Sequence, residues 1–176
     1  IYDADLVLVG SDSPLKLDAD TFQAEIDRNP LLKKELEEIE VFSAIDVLAR
    51  FRLTRDELQT ISEGVERNTD DNMRIEYSAP LNLYTWTGGE NVNMLNRAVG
   101  DKPHVPYDAV GRTPLGLIQL AKSYANLELY IQALMCLKEA ERVEPNRADV
   151  GVLYAEYNKS LLEALAEAEA EKEDEG

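Results

Sequence analysis

From residue 113 to residue 145 the apolar residues fall into two short stripes of helical period, and this spacing constrains the chain more than any other feature. Leu117, Leu120 and Tyr124 stand at i, i+3 and i+7 on one helix face, with the small Ala121 where a partner helix must cross closely. Ala133, Leu137 and Ala140 make the matching stripe at i, i+4 and i+7 on a second helix, and Pro145 stops that helix. A hairpin of this kind, about 34 residues long, cannot bury its own apolar face and must lean on other structure. That points away from a self-contained enzyme and towards a docking or end module.

These eight positions resemble the helical hairpin of the tetratricopeptide family. A last helix is predicted from about Asp149, with Leu153, Tyr154, Tyr157, Leu161 and Leu165 as its stripe. It starts in register as a second repeat, Tyr154 and Ala155 standing where Leu120 and Ala121 stood, and the resemblance implies that it caps the hairpin. Beyond Leu165 alternating Ala and Glu take over, and the final ten residues crowd Glu167, Glu169, Glu171, Glu173, Asp174 and Glu175 together. This end reads as a solvated, frayed helix terminus, with an acidic tail for a basic partner as the sharper alternative. Tyr124, Tyr130, Tyr154 and Tyr157 are candidates for a peptide groove between helices, with packing as their default role.

The upstream half has a different texture. Leu6, Val7, Leu8 and Val9 form a short apolar run ended by Gly10, as in a buried strand. Asp18 or Asp20 caps a helix carrying Phe22 and Ile26 that ends near Asn29. Pro30 suits the first turn of a second helix, with Leu31, Leu32, Leu36 and Ile39 on its apolar side. Ser43 caps a third helix, and Thr54 with Glu57 has the capping-box spacing that opens a fourth, with Leu58, Ile61 and Val65 inward. Residues 68–72 form a turn-rich loop, 73–78 a second strand candidate around Ile75 and Tyr77, and 91–99 another short helix. Residues 100–112 hold two glycines and two prolines without periodicity, as a linker does. The expected fold class is mostly α with a small β component.

Charge narrows the partners. With 35 acidic against 18 basic residues the net charge is −17, so nucleic acid would be repelled. No apolar run approaches the length of a membrane helix, so direct membrane insertion of this segment is not expected. Cys136, the one cysteine, reads as a small buried hydrophobe. His104, the one histidine, lies between two prolines without the companions that a metal site or histidine-based catalysis requires, and neither metal nor cofactor is expected. No phosphate loop, HExxH or CxxC occurs.

A second resemblance rests on the ordered set Asp5-Leu6-Val7-Leu8-Val9-Gly10-Ser11, Pro14-Leu15, Asn68-Thr69-Asp70-Asp71 and Ile75-Glu76-Tyr77-Ser78-Ala79-Pro80. Together these resemble the C-terminal part of bacterial spermidine synthase-like proteins, the large membrane-fused aminopropyltransferase homologues in particular. Here Asn72-Met73-Arg74 stand where that family usually has an early proline, and Leu81 where it commonly has a basic residue. This resemblance covers roughly residues 1–97 and implies residues 1–99 as the end of a Rossmann-like domain with a helical annex; a linker at 100–112, the separately matched hairpin with its capping helix at 113–172 and an acidic tail at 173–176 are expected to follow. The donor-binding glycine loop and catalytic aspartate of the family lie upstream of the matching region, so this region is expected to be catalytically silent. Asp70 and Asp71 face a cationic amine or order a loop on this reading, and otherwise form a turn. Glu76 partners Arg74 or Arg97, or lies on an exposed strand edge.

The chain, which begins with Ile1 in place of a methionine, is thus expected to be a piece of a longer polypeptide: the cytoplasmic C-terminal region of an aminopropyltransferase-like protein of the membrane-fused type. Its expected partners are its own upstream domain and a second copy, the latter through the open strand edge at residues 6–9. The alternative is a free-standing helical scaffold that binds a peptide or partner protein. A complete enzyme of another type lacks any catalytic set in the sequence.

Overall fold

The computed structural model of this chain describes residues 9–13, 15–64 and 103–174. Among these the protein is mostly helical, as expected, with seven α-helices, one 3-10 turn and no strand. The four upstream helices are α1 (Ala19–Arg28), α2 (Pro30–Glu38), α3 (Ala44–Ala49) and α4 (Arg55–Ser62). The turn η1 (Tyr107–Val110) leads into α5 (Pro114–Asn126), α6 (Tyr130–Val143) and α7 (Ala148–Asp174). The strand expected at residues 73–78 and the helix at 91–99 lie outside the described residues, as do residues 6–8 of the first strand. Val9, the last residue of that run, is in no strand and is 71% exposed.

Each helix start has a local cause. Asp18 Oδ1 accepts from the Thr21 N–H at 2.8 Å. Asn29 ends α1 with its backbone N–H and starts α2 with its side chain, which accepts from the Leu32 N–H, and Pro30 occupies the first turn. Thr54 and Glu57 form the reciprocal capping box, at 2.6 and 3.3 Å. Thr113 caps α5 by accepting from the Gly116 N–H at 3.1 Å. Gly116 is sterically required: a Cβ there would lie 2.7 Å from the Val110 carbonyl oxygen.

The chain forms two compact units, Ile1–Leu8 with Arg52–His104 and Val9–Phe51 with Val105–Gly176. In the first, the described structure is α4 and its flanks. The second holds the main core. Its centre is α5, which packs on α6, on α3 and on η1, so that Leu117, Ile118, Leu120, Ala121, Ser123 and Tyr124 are all buried. A helix apolar on so much of its circumference is stable only when enclosed. Three residues, Leu127 to Leu129, turn the chain into α6, the Leu129 N–H bonding back to the Tyr124 carbonyl at 2.9 Å. Ala133, Leu137 and Ala140 of α6 are fully buried, and α7 packs against α6, adding Val150 and Tyr157 to the same core.

The observed units divide the chain differently from the expected boundary at residues 100–112. Ala19, Leu48 and Ala49 share one core cluster with Leu117, Leu137 and Tyr157. Residues 105–112 are themselves part of that packing: Val105, Ala109 and Val110 are buried, and Gly111 closes η1 in the left-handed conformation at φ 65°. Prolines and glycines there shape a packed turn. A second difference is α2, which buries none of its residues and leaves Leu31 and Ile39 exposed. It packs against α1, too little cover for its apolar side.

Replacing Leu117 by Ala should cost about 2–5 kcal/mol, because its site is closed on every side. The same change at exposed Leu115 should stay within about 0.5 kcal/mol. Urea unfolding followed by far-ultraviolet circular dichroism measures both.

Candidate interaction surface

Three places in the second unit bring polar or exposed apolar groups together. The first is the N-terminal end of α3. Ser43 Oγ accepts from the Asp46 N–H at 3.3 Å, and Asp46 Oδ2 accepts in return from Ser43 Oγ and from the Phe42 N–H, at 2.9 and 3.0 Å. Asp46 Oδ1 remains for α5, where the Ser123 hydroxyl donates to it. Gln23 of α1 accepts from the Ala44 N–H at 3.0 Å. One carboxylate thus braces the Ser43 cap of α3 and ties the helix to α5. A cavity of about 400 Å³ opens beside this seam, walled by Gln23, Ser43, Ile45, Gln119 and Lys122 among others. The Ser123 hydroxyl bordering it and the Asp46 carboxylate are engaged in joining α3 to α5.

The second place joins η1 to α6. Arg112 donates to Asp108 and, at 3.3 Å, to Glu139, and its guanidinium stands over the Tyr107 ring, 5.7 Å from the centroid. Arg142 grips Glu139 with two bonds of 2.8 Å. The hydrogen bond from Arg142, with the charges of both arginines, holds the Glu139 carboxyl below its ordinary value. Burial, with Cys136 and Glu139 nearby, pushes the Tyr107 phenol up to about 12. Burial also pushes the Cys136 thiol up, so it stays protonated and inert near neutrality.

The third is the surface of α7. Val150, Leu153 and Tyr157 turn towards the hairpin, while Leu161 is half-buried. Gly151, Tyr154, Leu162 and Leu165 are exposed, Leu162 at 59% and Leu165 at 53%. The expected single stripe therefore splits: Tyr154 and Leu165 face outward, because the sector of apolar residues is wider than the hairpin covers. The helix continues to Asp174, into the stretch expected as a tail, carried by Ala and Glu, which favour helix without tertiary contacts.

The tyrosines expected from sequence to line a peptide groove separate. Tyr124 at 1% exposure and Tyr157 at 7% are core residues, Tyr130 is half-buried, and Tyr154 is at the surface. Asp70, Asp71 and Glu76, the other candidates, lie outside the described residues. Asp46 and Ser123 were not singled out by sequence reasoning. A serine followed three residues later by an acid was a readable capping signal, whereas the bond from Ser123 across 77 positions had none.

Among the described residues no group of three His, Cys, Asp or Glu side chains is arranged to hold a metal, and no helix is long and apolar enough to cross a membrane. Compared with protein-family models, curated proteins and solved structures, the chain matches none.

Two solution measurements test these assignments. Because the folded Tyr107 phenol titrates higher than an unfolded one, its stabilising effect is complete below the ordinary phenol value of 10.0 and lost as pH rises towards about 12. The urea midpoint should fall over that window, and Tyr107→Phe should flatten the fall. Separately, Asp46→Ala removes three accepted bonds and should cost about 1–3 kcal/mol in the same unfolding assay, leaving the Ser123 hydroxyl buried without its acceptor.

Proposed function

We propose that this chain is a non-catalytic helical interaction module, a tetratricopeptide-like hairpin with a long capping helix. It serves as the cytoplasmic C-terminal region of a polyamine aminopropyltransferase-like protein. The observation that carries the module reading is the state of α7: one face packs against α6, while Tyr154, Leu162 and Leu165 on the adjoining flank stand uncovered. Soluble proteins rarely leave such residues grouped unless something binds them. The polar clusters at Asp46 and Glu139 add to it, since their groups are consumed in joining helices. The link to aminopropyltransferases rests on the sequence resemblance, most of whose motif residues lie outside the described structure.

Two experiments test the two halves. Incubated with decarboxylated S-adenosylmethionine and putrescine, the chain should form no spermidine; product above background overturns the non-catalytic reading. Affinity capture from a bacterial extract, by the wild type and by a Leu162→Glu, Leu165→Glu double variant of matched helicity, should retain proteins on the wild type that the variant loses. Identical retention by both removes α7 as the docking surface.

A further inference from the structure

We propose that the uncovered face of α7 pairs in antiparallel fashion with the same face of a second copy of this chain, about a twofold axis close to Asn158. This pairing rests on the reading of the chain as an interaction module and names its partner.

Gly151, Tyr154, Asn158, Leu162 and Leu165 follow one another at intervals of 3, 4, 4 and 3 residues. These intervals keep all five on one side of a helix. The series also reads the same in both directions from Asn158, as an isologous contact requires. Reversal exchanges Tyr154 with Leu162, an aromatic with an aliphatic side chain, and Gly151 with Leu165, the smallest with a large one. Nothing lies within 4 Å of where a Gly151 Cβ would be, so the glycine is a notch on the outside of the helix that its own fold does not fill. A glycine inside a helix costs about 1 kcal/mol relative to alanine, and a leucine from the partner gives that notch an occupant. Tyr154, Asn158 and Leu162 stand at i, i+4 and i+8 and form the middle of the seam. At the axis the Asn158 amide meets its own copy, donor to acceptor and acceptor to donor.

Charge confines where two copies can meet. The net charge of −17 should keep copies apart unless the contact is uncharged. Asp149, Glu156, Glu163 and Glu167 recur on one line of α7, and Glu156 is two residues from both Tyr154 and Asn158, which places that line on the far side from the seam. Lys159 leans towards this line and bonds Glu163 at 3.4 Å. From Gly151 to Leu165 the seam itself carries no charged residue. The acidic C-terminal end of α7 also sets the direction: parallel pairing would stack two such ends, whereas antiparallel pairing lays each beside the positive end of the partner's helix.

The contact involves about four turns of a single helix on each copy, a small interface, so the association is reversible and concentration-dependent. Sedimentation equilibrium of the full chain from about 1 to 500 μM should pass from 19.7 kDa towards twice that mass. Gly151→Leu fills the notch while improving helix propensity; it should leave thermal stability unchanged or higher, yet raise the dimer Kd by about tenfold or more. Asn158→Lys lowers the net negative charge and so relieves general repulsion, but sets two like charges at the axis, and it should abolish the dimer. A monomer at every concentration, or a dimer indifferent to both variants, overturns the proposal. Should the wild type be monomeric while capture still depends on Leu162 and Leu165, self-pairing falls and the interaction-module reading stands.

Discussion

The second unit depends on the enclosure of α5. Its thirteen residues include two leucines, Leu117 and Leu120, with no exposed surface, and each such side chain contributes about 1.5–3 kcal/mol on burial. No single neighbour encloses the helix. α6 covers the stripe that the hairpin spacing defines, and α3 and η1 cover the remainder. This requirement draws Ala19, Leu48 and Ala49 from upstream and Val105, Ala109 and Val110 from the turn into one core. It also explains why the polar tie between Asp46 and Ser123 lies where it does: a short six-residue helix is held against a long one by a carboxylate of its own first turn.

Satisfying α5 does not satisfy every helix. The cover runs out at α2 upstream and along the outer face of α7 downstream. The two cases differ in kind. α2 is short, and its exposed leucines are interspersed with Lys33, Lys34, Glu37 and Glu38, a surface that water tolerates. Between Gly151 and Leu165 of α7 the charged residues Glu156, Lys159 and Glu163 lie to one side, leaving an apolar seam with a notch and an amide in it. Segregation of that sort is what distinguishes a contact surface from ordinary exposed side chains, and it is the physical basis for reading the chain as a module that associates.

Much of the local structure was legible because its causes are local. Asp18, Asn29, Ser43, Thr54 and Thr113 each open a helix through a bond to a backbone N–H within three residues, and such bonds are written in the sequence. The inner faces of α5 and α6 were legible through their spacing. What the sequence did not disclose was long-range. Residues 105–110 have turn-former composition, and only tertiary contact makes Val105, Ala109 and Val110 core residues. The stripe on α7 has more apolar positions than one neighbour can cover, so periodicity could not say which of Tyr154 and Tyr157 would be inside. Of the residues that the sequence offered as candidates, Asp70, Asp71 and Glu76 lie outside the described residues, and Tyr154 is the one found on the exposed face of α7.

If the enclosure of α5 organises the second unit, α3 and α5 open as one cooperative piece, although 77 positions separate the bonded pair Asp46 and Ser123. Native-state amide hydrogen exchange resolves this directly. The amides of Leu48 and Ala49 should exchange with the same opening free energy as those of Leu120 and Ala121, while the amides of α7 beyond Leu165 exchange far faster. Rapid exchange of α3 at denaturant concentrations where α5 is still fully protected would contradict it.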